Sequence, residues 1–243
     1  MDILVVNPNT TSSMTKKIGE AARSIALANT NIIAVNPKDG PPSIEGYFDE
    51  VFAIPGMIGE MQKYANADAC IIACFDDTGL DAARCAGTMP VIGIGEAAFH
   101  MASLISGKFS VVTTLSRSVP AIEHNLVRYG LATRCARVRA SDVAVLELEV
   151  PGSDARKRIS EEIARAIRDD HAEAIVLGCA GMADLAASLS EEHGLPVIDG
   201  VTAAVKLCEG LVSLGLKTSK RGGYLPPRTK AFQGIFEPYS PGR

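Results

Sequence analysis

The chain has 243 residues, of which 47% are hydrophobic and 21% are charged, and its net charge at pH 7 is −4. This composition supports a buried core and excludes intrinsic disorder, which requires few hydrophobic residues and a high net charge. The net negative charge argues against binding to nucleic acids. The lack of any run of 18 apolar residues argues against a membrane-spanning helix.

Short segments rich in valine and isoleucine alternate with longer amphipathic segments. The predicted strands are, in chain order, Ile3–Val6, Asn31–Val35, Ala69–Cys74, Pro90–Ile92, Phe109–Thr114, Ala174–Leu177 and Pro196–Ile198. Predicted helices include Ser12–Ala28, Asp154–Arg168 and Thr202–Leu214. Several strands are apolar throughout, as in a parallel sheet that helices cover on both faces. The alternation predicts a doubly wound α/β fold, in which ligands bind at the loops that follow the strands.

The first segment, Met1–Val6, has no basic region and no cleavage site, so it is interpreted as a strand and not as a signal peptide. We therefore expect a cytoplasmic protein. In that compartment its six cysteines should be reduced thiols.

The sequence contains an internal repeat. Ala67–Cys74 resembles Ala172–Cys179, 105 residues later, while Pro90–Ile92 resembles Pro196–Ile198 and Val5–Pro8 resembles Val111–Thr114, each 106 residues later. The repeat predicts two similar α/β lobes, each with a small parallel sheet flanked by helices. Related halves usually pack about a pseudo-twofold axis, so we expect the active site between them. The expected lobes are residues 1–98 plus 205–243, and residues 99–204.

Cys74 and Cys179 occupy equivalent positions in this repeat, each at the end of a predicted strand. A thiol at such a junction lies near the free N–H groups of the next helix, so we expect a lowered pKa. Two thiols on opposite sides of one crevice favour a two-base racemisation, in which one removes a proton and the other supplies one to the opposite face of the carbon. The remaining cysteines, Cys70, Cys85, Cys135 and Cys208, are interpreted as small core residues.

Other chemistries have weaker support in the sequence. The four histidines match no zinc-ligand spacing, and the chain has neither a Gly-x-Ser-x-Gly elbow nor a Walker loop, so we predict no metal site. Gly93–Ala98 fits a loose dinucleotide-binding pattern, but Glu96 would repel a pyrophosphate and an ordinary helix start explains the glycines. We therefore predict no cofactor.

Five motifs span nearly the whole chain: Asn7–Thr11, Gly40–Gly46, Ala73–Leu80, Gly178–Met182 and Gly215–Tyr224. Together they resemble the hydantoin and allantoin racemase branch of the aspartate/glutamate racemase superfamily. The resemblance implies cofactor-independent racemisation of a small-molecule substrate, a 5-monosubstituted hydantoin, whose C5 proton is lost to give a ring-stabilised enolate. It also implies a homo-oligomer, a dimer or a tetramer.

The resemblance assigns roles to residues by position. Cys74 and Cys179 are the acid and base, and the expected substrate contacts are Asn9, Ser43, Phe75, Asp76, Thr113, Thr114, Ala180 and Gly181. Amino-acid racemases of the superfamily carry Asn-Thr after the first cysteine and Thr after the second. Here Phe75-Asp76 and Ala180-Gly181 stand in those places, which favours a neutral ring over a free amino acid. Asp76 either contacts the substrate or caps the following helix.

Several alternatives stay open on the sequence alone. Allantoin racemase is the nearest, because Ser43 and Asp76 suit a polar ureido group. The apolar loops disfavour an aspartate or glutamate racemase, and the second cysteine disfavours an enzyme similar to arylmalonate decarboxylase. A non-catalytic small-molecule-binding protein would have no reason to place a thiol at both strand ends.

Overall fold

Strands and helices alternate along the chain in a computed structural model that describes residues 1–242. The strands are β1 (Asp2–Val6), β2 (Asn31–Val35), β3 (Ala69–Ile72), β4 (Val91–Gly93), β5 (Phe109–Thr113), β6 (Cys135–Ala140), β7 (Ala174–Gly178) and β8 (Val197–Asp199). The α-helices are α1 (Ser12–Ile25), α2 (Tyr47–Lys63), α3 (Leu80–Ala86), α4 (Ile94–Ile105), α5 (Val119–Arg128), α6 (Ala155–Asp170), α7 (Ala186–His193) and α8 (Gly200–Ser213). Across this described part of the chain, no helix is both long and apolar enough to cross a membrane.

The strands form two parallel sheets, which confirms the predicted α/β class. The first sheet has the order β2-β1-β3-β4 and the second has the order β6-β5-β7-β8. These orders become identical when each strand is replaced by its repeat counterpart, so the repeat in the sequence is a repeat of architecture. Strand β6 was not predicted; it is an edge strand in which Arg137 and Arg139 interrupt the apolar pattern.

The two lobes share one apolar core. Side chains alternate across each strand, so Ile3 and Val5 of β1 face this shared core while Leu4 and Val6 face a separate cluster. Helices α4 and α8 pack against each other and contact strands of both sheets. Phe99 of α4 meets Phe75 edge-on at 5.4 Å between ring centroids. This shared core fixes the two sheets relative to each other.

The starts of α4 and α8 are equivalent in the repeat but are capped differently. Asp199 precedes α8, and its Oδ1 accepts a hydrogen bond from the Thr202 N–H at 2.8 Å. Position 93, its counterpart 106 residues earlier, is a glycine with no side chain to cap α4. The cap comes instead from Asp77, in the loop after β3.

The carboxylate of Asp77 ties that loop to two other elements. Its oxygens accept hydrogen bonds from the Gly95 N–H at 2.9 Å, from the Glu96 N–H at 2.8 Å and from the Tyr129 hydroxyl at 2.7 Å. A Cβ at Gly95 would lie only 2.4 Å from the Phe75 carbonyl oxygen, and one at Gly93 only 2.1 Å from Asp77 Oδ1. The close approach of Asp77 therefore explains the glycines of the loose dinucleotide-binding pattern.

Candidate active site

One small cavity lies where the loops after β1, β3, β5 and β7 meet. The carboxyl ends of central parallel strands are where α/β folds bind ligands. Its lining residues are Asn7, Asn9, Met14, Ile44, Ala73, Cys74, Phe75, Asp76, Thr113, Thr114, Ser118, Val145, Gly178, Cys179 and Ala180. Both lobes contribute, so the cavity lies between the two sheets.

Most of the residues expected to contact substrate line this cavity together with both cysteines. Those that do are Asn9, Phe75, Asp76, Thr113, Thr114 and Ala180. Ser43 is half-buried beside Ile44, and it is Ile44 that lines the cavity. Gly181 is buried behind the lining, and its backbone N–H donates to the Cys179 sulfur.

Several lining residues were not among the predicted substrate contacts: Asn7, Met14, Ile44, Ala73, Ser118, Val145 and Gly178. Asn7 and Gly178 belong to motifs that follow strands, so a search of whole motifs finds them. Ile44 and Val145 come from long loops of opposite lobes, and no local pattern marks either one.

The two thiols are half-buried, and their burial raises their pKa values. The pKa of Cys179 rises to about 11, although the Gly181 N–H opposes the rise. The pKa of Cys74 rises well above its ordinary value, through burial and then through the Asp76 carboxylate. The expectation of lowered thiol pKa values was therefore wrong. Helix α3 begins only at Leu80 and a 3₁₀ turn follows Cys179, so the helix ends act less strongly than burial does.

A fixed network of amides forms one wall of the cavity. Asn7 Nδ2 donates to Asn9 Oδ1 at 2.9 Å and to Thr15 Oγ1 at 3.0 Å. Asn9 Nδ2 contacts the Met14 sulfur at 3.3 Å, and the Thr11 N–H donates to Asn9 Oδ1 at 2.9 Å. These contacts hold the Asn9 amide in one orientation at the cavity surface.

Hydroxyl groups form the opposite wall. The Thr113 hydroxyl donates to the Gly178 carbonyl oxygen at 2.9 Å and so fixes the end of β7, where Cys179 follows. A Cβ at Gly178 would lie 2.6 Å from Thr113 Cβ, so the two strands need a glycine there. Among residues 1–242 the hydroxyls of Thr114 and Ser118 have no hydrogen-bond partner, which leaves both available to a ligand.

Two adjacent carboxyl groups after Cys74 have different surroundings. Asp77 is the buried cap of α4, whereas Asp76 faces the cavity. Burial, together with the neighbouring carboxyls of Glu50 and Asp77, raises the pKa of Asp76 to about 7. Helix α3 begins after Gly79, with no side chain capping it, so the capping alternative for Asp76 was wrong.

Comparison with known proteins identifies the family. The Asp/Glu/Hydantoin racemase family model matches residues 3–208. The chain belongs to this family. It is 49% identical over 236 residues to the hydantoin racemase of Rhizobium meliloti, covering 96% of this chain and 98% of that protein. It is 46% identical over 239 residues to the hydantoin racemase of Pseudomonas sp. (strain NS671), covering 98% and 96%.

Solved structures of other racemases have the same fold. The allantoin racemase from Klebsiella pneumoniae matches with a TM-score of 0.96 and 46% identity over 99% of both chains. An aspartate racemase from Picrophilus torridus, only 14% identical, matches with a TM-score of 0.62 over 90% of this chain and 96% of that chain. The predicted family and two-lobed α/β fold are thus confirmed, and the protein is an isomerase, a racemase of small molecules. Its lobe boundaries, oligomeric state, location and independence of metals and cofactors stay predictions.

Proposed function

We propose that the protein racemises 5-monosubstituted hydantoins at C5 by a two-base mechanism. The observation that carries the proposal is the cysteine pair: Cys74 and Cys179 follow equivalent strands of opposite lobes and line one cavity. One thiolate takes the C5 proton, and the electron pair of the C–H bond enters the ring as an enolate. The other thiol then gives its proton to the opposite face of C5.

The environment of the thiols suits this chemistry. Burial raises both thiol pKa values, so a thiolate formed in the cavity is a stronger base than one in water. The N–H groups of Asp76 and Gly181 donate to the sulfurs. We therefore assign stabilisation of the enolate oxygen to the unpartnered hydroxyls of Thr114 and Ser118. A well-placed donor of this kind contributes about 3–4 kcal/mol to the transition state.

Allantoin is a second candidate substrate with the same mechanism. It is a hydantoin whose C5 substituent is a ureido group, which carries N–H donors. The Asp76 carboxyl faces the cavity, and in the described chain its oxygens accept no hydrogen bond, so they are free to accept from such donors. The similarity to the allantoin racemase of Klebsiella pneumoniae favours the same substrate.

The decay of circular dichroism of an enantiopure 5-alkyl hydantoin tests the proposal directly. The assay uses purified protein without added cofactor, and a protein-free sample corrects for spontaneous exchange at C5. Allantoin, L-aspartate and L-glutamate are run in parallel. Decay with the alkyl hydantoin supports the proposal, and decay with allantoin alone selects the second candidate. Decay with neither ring would overturn both.

Two serine substitutions test the cysteine pair. We expect Cys74→Ser and Cys179→Ser each to abolish racemisation, while either variant still exchanges the C5 proton of one enantiomer with solvent deuterium. Cys85→Ser is the matched control, because Cys85 lies on α3 with its sulfur directed at the Gly223 carbonyl oxygen, 3.4 Å away. Wild-type racemisation in either of the first two variants would rule out the two-base assignment.

A further inference from the structure

The two cysteines have equivalent backbone surroundings. The Asp76 N–H donates to the Cys74 sulfur, and the Gly181 N–H, 105 residues later, donates to the Cys179 sulfur. The side chains at these positions differ. Asp76 brings a carboxyl into the cavity, whereas a Cβ at Gly181 would already lie 3.0 Å from Leu148 Cδ1 and 3.7 Å from the Cys179 sulfur. The two halves of the repeat therefore supply the same backbone donor to each cysteine sulfur, but only the half with Cys74 places a carboxyl beside it.

Charged groups on other elements increase the difference. Lys17 of α1 lies near Cys179, paired at 3.1 Å with Asp184, and its ammonium favours a thiolate there. At Cys179 the Asp76 carboxylate, across the cavity, acts more strongly than Lys17, and the Glu45 carboxylate opposes Lys17 more weakly. A thiolate at Cys179 thus has a cation among its neighbours.

Cys74 has carboxyls as its charged neighbours. Besides Asp76, the Glu50 carboxyl of α2 acts on it, and Glu50 Oε1 is buried without a hydrogen-bond partner within the described residues. The Thr78 hydroxyl donates to the Cys74 sulfur at 3.3 Å, but this neutral donor has less effect than the Asp76 charge. A thiolate at Cys74 therefore forms against two negative groups.

We propose that Cys179 ionises before Cys74 in the substrate-free enzyme, and that Asp76 sets this order. Under the proposed function, on which this part rests, the Cys179 thiolate removes the C5 proton and becomes a thiol. The Cys74 thiol then protonates the opposite face and becomes the thiolate. One proton must afterwards pass from Cys179 to Cys74 before the resting form returns.

Alkylation of each cysteine by iodoacetamide, a neutral reagent, measures this order without substrate. Peptide mass spectrometry follows the two rates between pH 7 and 9, where Asp76 is ionised for most of the range. We expect Cys179 to react faster in the wild type and Asp76→Asn to accelerate Cys74 more than Cys179. Each unit by which a thiol pKa falls gives about tenfold more thiolate. Since the nucleophilicity of the thiolate falls with its pKa, the net gain is about threefold per unit.

The alkylation rate of each cysteine in a variant is compared with the rate of the same cysteine in the wild type. This comparison cancels the difference in how easily iodoacetamide reaches the two cysteines. Asp39→Asn is the charge-matched control, because Asp39 is exposed and does not line the cavity, and it should change neither rate. Lys17→Gln should slow the alkylation of Cys179 and leave the alkylation rate of Cys74 unchanged. The proposal is overturned if Cys74 reacts faster in the wild type, or if Asp76→Asn leaves the ratio of the two rates unchanged.

The racemisation assay on the same variants separates the two proposals. If the labelling order is as expected but no hydantoin is racemised, the proposed function fails and the thiolate assignment stands. If hydantoins are racemised but Cys74 is labelled first, the thiolate assignment fails alone.

Discussion

Asp77 connects the loop that carries Cys74 to the start of α4 and to Tyr129, and replacing it by asparagine tests this connection. Its two oxygens accept three hydrogen bonds, one of them buried and the other two partly buried. Asparagine has nearly the same shape but offers one acceptor oxygen and one NH₂ group. The substitution therefore changes hydrogen bonding while leaving the packing volume almost unchanged.

The expected cost follows from these bonds. The asparagine oxygen still accepts the hydrogen bond from the Gly95 N–H. The Tyr129 hydroxyl rotates and accepts a hydrogen bond from the new NH₂ group. The Glu96 N–H then faces another donor and is left unsatisfied. Losing one bond to a charged group costs about 1.5–3 kcal/mol, a range that includes the penalty of leaving its donor unsatisfied. We expect the free energy of unfolding to fall by about 2 kcal/mol. We also expect kcat to fall about 100-fold, since a catalytic group misplaced by about 1 Å costs that much.

Urea unfolding at pH 8, followed by circular dichroism, measures the change in stability. Asp76→Asn is the matched control, because it makes the same substitution one residue earlier on a carboxyl that caps nothing. Burial raises the pKa of Asp76 in the folded state to about 7, above its ordinary value of 3.8. Ionisation of Asp76 thus opposes folding, and its contribution to stability is lost as the pH rises from about 4 to 7. Asp76→Asn should remove this contribution and match or exceed wild-type stability at pH 8, while Asp77, whose pKa burial also raises to about 7, keeps its own pH dependence in the same range.

Two results would refute this reasoning. One is a loss of less than about 1 kcal/mol in Asp77→Asn, the size of an ordinary neutral hydrogen bond. The other is an equal loss in both variants, which would mean that any carboxyl in this loop stabilises the fold by its charge. Tyr129→Phe gives an intermediate case, because it removes one of the three bonds to Asp77 and leaves both backbone donors satisfied.

Three further substitutions have distinct expected outcomes. Gly95→Ala would place a Cβ 2.4 Å from the Phe75 carbonyl oxygen, so we expect urea unfolding to show a loss of about 1–3 kcal/mol. Thr78→Val removes the hydroxyl that donates to Cys74, so the pKa of Cys74 should rise further and its alkylation should slow. Arg139→Leu leaves Asp170 without its main partner and should cost about 3–5 kcal/mol at pH 7. Since Arg139 lowers the pKa of Asp170 below its ordinary value of 3.8, this cost should begin to fall at about pH 4 and vanish only below the lowered pKa.

The sequence predicted the architecture well because its signals are local. Continuous apolar segments mark buried parallel strands, and the repeat at 105–106 residues predicts the matching order of the two sheets. Edge strand β6 was missed because one of its faces carries Arg137 and Arg139, which pair with acidic residues of α6. An edge strand has only one neighbour in the sheet, so polar residues are tolerated there and the apolar pattern is lost.

The cysteine pair was predictable, but the electrostatics around it were not. Strand ends are visible in the sequence, whereas the burial that raises the pKa of Cys179 to about 11 depends on how the two lobes close over the cavity. The different roles of Asp76, which faces the cavity, and Asp77, which caps α4, could not be predicted from the sequence either. It depends on position 93, where a glycine replaces the capping aspartate that the repeat has at position 199. The acceptor that α4 then needs comes from another loop.

A symmetric fold with asymmetric charges has a definite kinetic consequence if the proposed racemisation is correct. Two enantiomers have equal free energies in water, so their equilibrium constant is one and kcat/KM must be equal for both. Asp76→Asn must therefore change kcat/KM by the same factor in the two directions. The preference for a Cys179 thiolate appears instead in kcat and KM taken separately, because each enantiomer needs a different cysteine as its base. The charge on Asp76 can thus set the resting state of the enzyme without favouring either product.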